Sequence, residues 1–205
     1  MSALAKQIAL PLLVDKPASG LLVGAANANV IRSCDAAGQW PFHTAVLVGP
    51  QRSGRSTIAR WFSDSGRGIA MDDAALIDAH ELFHVWNRAQ QTGTPLLLVG
   101  PSAGQEWSVG LPDLASRIGA AARLVIDQPD EAMLAQLLDL HARKRGLVLS
   151  MAAVDYLVPR CTRSFAAVEE LVATLDRLGL ERKMPANLSI WRDALSACAM
   201  SDAGG

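Results

Sequence analysis

The sequence predicts an α/β core with an abbreviated parallel sheet, followed by a small all-helical domain. Three observations carry that reading. Short β-prone apolar runs at 44–48, 96–99 and 123–126 alternate with segments of helical periodicity. A glycine-rich loop joins the first run to a helix. From Asp130 onward the apolar positions follow helical spacing alone, so the sheet is expected to end before Pro129.

Taken in order, residues 17–20 read as a linker, and Asn27 is placed to cap a helix through about Ala36. Thr44 to Val48 is a continuous apolar strand of the kind buried on both faces. Residues 49–54 form the glycine-rich loop and a helix follows from Arg55 to Phe62. Ile69 to Met71 is a brief apolar stretch ending in Asp72 and Asp73. Leu82, Phe83, Trp86 and Ala89 share one face of a helix from about Ala79 to Gln91, which Gly93–Pro95 stops. Leu96 to Val99 is the next strand, residues 100–110 a loop, Leu111 to Ile118 a short helix and Arg123 to Ile126 a further strand. In the helical part, Gly146 ends the first helix, and Ser150 and Ser164 cap the next two. Gly179 is expected to stop the third, and Ser189 to open a last short helix. The expected organisation is a segment 1–20, a core 21–128 and a helical domain 129–205.

Composition narrows the function. The chain has 205 residues, 50% of them hydrophobic and 19% charged, which describes a globular protein. A formal net charge of −1 argues against a broad duplex-gripping face, so any contact with DNA is expected to be indirect. Cys34, Cys161 and Cys198 lack metal or redox spacing and fit reduced thiols in the cytoplasm. Ile8 to Val14 is too short, and too soon broken by Pro11 and followed by Asp15, for a secretory core; no run approaches membrane-spanning length.

The strongest chemical signal is Gly49-Pro50-Gln51-Arg52-Ser53-Gly54-Arg55-Ser56, continued by Thr57. It fits G-x-x-x-x-G-K-[ST] with arginine at the lysine position. Glycines let backbone N–H groups curl around phosphate, and the following helix directs its positive end at the same anion. Ser56 is placed to reach Mg²⁺. Arg55 still neutralises phosphate, but its planar head reaches between β and γ oxygens only with strain. Asp72 and Asp73 after an apolar run match the Walker B arrangement, in which the first carboxylate supports Mg²⁺ and the second orients water; the plainer alternative is a helix start. About ten residues separate the loop's helix from this pair, too few for another βα unit, which is why the sheet is expected to be abbreviated.

These motifs stand in an order that resembles the DnaA-related Hda family, AAA+ proteins without the DNA-binding domain of DnaA. Gln7-Ile8-Ala9-Leu10-Pro11-Leu12 is similar to the family's clamp-binding Q-x-x-L-P-L, and Val23-Gly24 with Asn27 resembles the lead-in to its core. Glu81-Leu82-Phe83-His84-Val85-Trp86-Asn87 resembles the LFHxxN helix. Leu111-Pro112-Asp113-Leu114-Ala115-Ser116-Arg117 resembles the box whose last arginine is offered to a neighbouring ATPase. The resemblance implies an AAA+ P-loop core with a helical lid, ADP or ATP with Mg²⁺ as cofactors, and the replication sliding clamp and DnaA as partners. Self-association is a further candidate. It also implies a negative regulator of replication initiation that uses Arg117 as a trans arginine finger and Asp73 as its own catalytic carboxylate. Gln7, Leu10, Pro11 and Leu12 would contact the clamp. Departures are Arg55 and, where a sensor arginine is expected in the lid, Ala166, with Arg163 one turn earlier.

Three functions remain open on sequence alone: this regulator without independent turnover, an autonomous AAA+ ATPase of helicase or clamp-loader type, and a nucleotide-free clamp-binding adaptor. Two structural alternatives stand beside them. The N-terminal segment could be a first strand, and Arg117 could serve only as an i,i+4 partner of Asp113.

Overall fold

The computed structural model describes residues 21–102 and 107–202. The segment 1–20, with Gln7, Leu10, Pro11 and Leu12, lies outside the described residues. Among those described, no helix is long and apolar enough to cross a membrane.

The core contains α1 (Ala28–Asp35), β1 (Thr44–Gly49), α2 (Arg55–Asp64), β2 (Ile69–Met71), α3 (Ala79–Thr92), β3 (Leu96–Ser102), α4 (Pro112–Gly119) and β4 (Ala122–Val125). The strands form one parallel sheet in the order β2-β3-β1-β4. Parallel strands joined by helices must be covered on both faces, and the side-chain alternation of β1 supplies both. Ala45 and Leu47 join Leu97, Val99, Leu124 and Ile126 in a cluster with α1 and α2. Val46 and Val48 join Leu96 and Leu98 in a second cluster with Leu82, Trp86 and Ala89 of α3 and Leu114 of α4.

Four further helices follow: α5 (Glu131–Lys144), α6 (Met151–Leu157), α7 (Phe165–Arg182) and α8 (Leu188–Asp202). Their apolar stripes continue the first cluster without a break, through Leu134 and Leu138 of α5 to Val168, Leu171 and Leu175 of α7. Asp130, Ser150 and Ser164 cap α5, α6 and α7 by accepting from the N–H groups of Met133, Ala153 and Ala167.

Several boundaries differ from the sequence reading. Asn27 does precede α1, but its side chain turns back, accepting from Gly24 N–H at 2.9 Å and donating to Leu22 O at 2.8 Å. It fixes the entering chain and leaves the helix end without a side-chain cap. Strand β3 overruns its expected end at Val99 into Pro101. Leu47 pairs with Val99 and Gly49 with Ser102, so β3 carries one residue more than β1 between these pairs, and the bulge accommodates the proline.

Helix α7 does not stop at Gly179. It runs to Arg182 and closes on Lys183 in the left-handed region at φ 52°, with Met184 N–H returning to Gly179 O. A Cβ on Gly179 would come within 3.3 Å of Met184 O, so this glycine serves close approach rather than termination. The last helix is fifteen residues long rather than short, and Asn187, not Ser189, caps it by accepting from the N–H groups of Ser189 and Ile190.

Candidate functional site

The glycine-rich loop leaves the C-terminal end of β1 at Gly49. A Cβ there would stand 2.9 Å from Ile126 Cβ and 3.0 Å from Ser53 Oγ, so only glycine lets the chain turn at this point. Arg52 and Gly54 are left-handed, at φ 62° and 84°, and Ser53 N–H closes the turn on Pro50 O at 3.3 Å. Gly54 precedes α2 with no side-chain cap, and the first helical bond runs from Ile58 N–H to Gly54 O. The amides of Arg55, Ser56 and Thr57 are therefore the orphan donors of this helix end. Ser53 is 5% exposed, and its hydroxyl oxygen is buried without a hydrogen-bond partner. A buried orphan hydroxyl beside three orphan amides is an arrangement that suits an anion. Ser56 and Gln51 are exposed at the rim.

Arg55 has a specific local engagement. Its guanidinium crosses to the end of β3, donating to Gly100 O at 2.8 Å and to Ser102 Oγ at 2.9 Å. The planar fork makes both bonds at once, which an ammonium does not reproduce. Arg52 turns the other way and pairs with Glu169 of α7 at 3.6 Å, joining the loop directly to the helical part. His141 of α5 belongs to the same seam. Burial is the main force holding its pKa below the usual 6.5; Glu169 opposes it, while Lys144, Arg145 and Arg52 reinforce it.

The acidic pair follows the edge strand. Met71 is level with Leu98 of β3, and Leu98 with Val46 of β1, so β3 stands between the pair and the strand that carries the loop. Asp72 and Asp73 are both exposed. Asp72 Oδ1 accepts from Asp73 N–H at 3.1 Å, and Asp73 is left-handed at φ 45°. Among the described residues neither carboxylate bonds to the loop. In the helical part, Ala166 lies half-buried on α7, and Arg163 is committed to Glu131 at 2.5 Å.

Arg117 lies in the last turn of α4, which Pro112 starts and the fully buried Leu114 anchors. Its guanidinium binds Asp113 at 2.8 Å and Asn87 Oδ1 at 3.0 Å. It also lies 4.9 Å from the centroid of the Phe83 ring and 4.4 Å from that of Trp86. The expected Asp113 contact is present, but α3 supplies most of the holding, through three side chains on one helical face. The side chain remains 30% exposed. Sequence reasoning singled out Arg117 and the helix containing Asn87 separately; it did not bring them together. It also missed the Arg52–Glu169 pair and the orphan Ser53 hydroxyl.

Residues 130–185 match the family model described as Hda, lid domain. Among solved structures, domain III of DnaA from Thermotoga maritima is 11% identical with a TM-score of 0.68, covering 86% of this chain and 94% of that one. A replication initiator DnaA bound to AMPPCP and single-stranded DNA is 16% identical with a TM-score of 0.60, covering 80% of this chain; this chain spans 66% of its length. The Thermotoga maritima RuvB Holliday junction branch migration motor is 15% identical with a TM-score of 0.57, covering 82% of this chain and 68% of that one. At these identities the likeness establishes the AAA+ fold, and the lid match applies to residues 130–185. The chain thus has the AAA+ fold, like that of the DnaA structures it resembles, and its residues 130–185 match an Hda-type helical lid.

Proposed function

We propose that the chain is a negative regulator of replication initiation that promotes hydrolysis of ATP held by DnaA. The observation that carries this reading is the Hda-type lid at 130–185 on a DnaA-like core. In it, Gln7, Leu10, Pro11 and Leu12 bind the sliding clamp, and Arg117 is offered to the partner's nucleotide as an arginine finger. Asp113, Asn87 and the two aromatic faces set the direction of Arg117 beforehand, which reduces the ordering cost of a long cation. A phosphate carrying more than one negative charge can draw the guanidinium from a single carboxylate that is 64% exposed.

In the same reading the loop from Gly49 to Thr57 holds ADP or ATP, with Ser56 and Asp72 toward Mg²⁺ and Asp73 as the water-orienting carboxylate. The bound metal would offset phosphate charge, and the loop's amides and the Ser53 hydroxyl would receive the phosphate oxygens. The engagement of Arg55 with Gly100 and Ser102 favours little independent turnover, because the side chain must leave two hydrogen bonds to act on phosphate.

The test combines purified clamp loaded on DNA, ATP-bound DnaA and this protein. Arg117→Ala should fold and bind the clamp as wild type does, while stimulated hydrolysis falls by about 10³-fold or more. Stimulation within a few-fold of wild type would exclude the finger and favour the clamp-binding adaptor.

A further inference from the structure

We propose that Glu169 sets the anion affinity of the glycine-rich loop by competing with bound phosphate for Arg52. The inference rests on the reading of that loop as a phosphate site, and it names a residue outside the loop that tunes it. Two cations lie in the loop, and they are engaged differently. Arg55 is held by neutral acceptors, Gly100 O and Ser102 Oγ, and among the described residues no carboxylate pairs with it. Arg52 faces a formal negative charge, the Glu169 carboxylate at 3.6 Å.

The two partners are unequally placed. Arg52 is 67% exposed and can turn, whereas Glu169 is 32% exposed and fixed on the second turn of α7, behind the Ser164 cap. Its charge is the less hydrated of the two, so it depends more on its partner. His141 gives it little help, because burial favours the neutral imidazole. Glu169 is therefore the standing counter-ion of the loop. An incoming phosphate at the orphan amides and the Ser53 hydroxyl meets both its repulsion and the engagement of Arg52.

Removing this carboxylate should strengthen anion binding. An exposed pair of this type contributes about 0.2–1 kcal/mol, so the expected gain is about 1.4- to fivefold in Kd. The experiment is calorimetric titration of the full chain with inorganic pyrophosphate. Glu169→Gln should bind more tightly than wild type by that factor. Arg52→Ala should bind more weakly, and in its background Glu169→Gln should lose most of its effect. Glu169→Asp keeps the charge and should stay within about twofold of wild type; tightening as large as that of Glu169→Gln would point to altered packing and overturn the proposal. Equal or weaker binding by Glu169→Gln, with wild type binding normally, would overturn it while leaving the loop reading intact. Absence of binding by wild type and every variant would remove the loop reading and the proposal together.

Discussion

Arg55 shows how a single substitution within a motif changes what the motif can do. A lysine at this place would send one thin, compact charge toward phosphate. The arginine instead ties the start of α2 to the end of β3, an internal cross-link between two elements. Two consequences follow for Arg55→Lys. Stability should fall by about 1 kcal/mol, since a partly exposed fork is exchanged for a single donor. ADP affinity should rise, because the ammonium is no longer held by Gly100 and Ser102. Thermal melting and calorimetry read the two effects separately. Lower stability with unchanged affinity would mean that the arginine already serves phosphate as well as lysine does. Cys34 belongs to the same scale: burial, aided by Asp35 and opposed by Arg67, pushes its thiol up to about 12, so it stays a neutral packing group on the buried face of α1.

Elements were legible wherever local signals and tertiary packing agree. The buried face of α7, with Phe165, Val168, Leu171, Val172 and Leu175, is the face its periodicity specifies, and Ser164 caps it as its position requires. That agreement makes the cap testable. Ser164→Ala should cost about 1 kcal/mol, seen as a lower denaturant midpoint at unchanged slope, whereas an unchanged midpoint would mean Phe165 packing alone fixes this end. Local reading failed where a residue answers to a distant neighbour. Gly179 makes room for Met184 O instead of ending its helix, and Pro101 continues a strand because a bulge opposite Leu47 and Gly49 absorbs it. At the candidate site the loop was readable because eight consecutive residues encode it. The Arg52–Glu169 and Arg117–Asn87 contacts were not, because the first spans 117 positions and the second 30, and periodicity carries no information at such separations.

At the scale of the whole molecule, the first buried cluster runs from the sheet into the lid, so core and lid share apolar packing while their polar seam is concentrated at Arg52, Glu169 and His141. Such a seam should make the union sensitive to protonation. The His141 pKa is lowered chiefly by burial, so in the folded chain the imidazole resists the proton that the unfolded chain accepts near 6.5. The unfolded state then binds more protons as pH falls. The contribution of neutral His141 is full above about 6.5 and is lost as pH drops through the folded value. The interval from pH 7.5 to 5.5 lies above the reference carboxylate range, which separates the histidine from acid unfolding in general. Wild type should therefore lose thermal stability across this interval, and His141→Gln, which has nothing to titrate, should lose less. Glu169 supplies an internal control because it opposes the lowering. Glu169→Gln removes the charge that favours imidazolium, lowers the folded pKa further and should steepen the loss. Parallel melting curves for wild type and His141→Gln would show that this histidine does not link protonation to the core–lid seam. A shallower curve for Glu169→Gln would show that its carboxylate does not act on the imidazole.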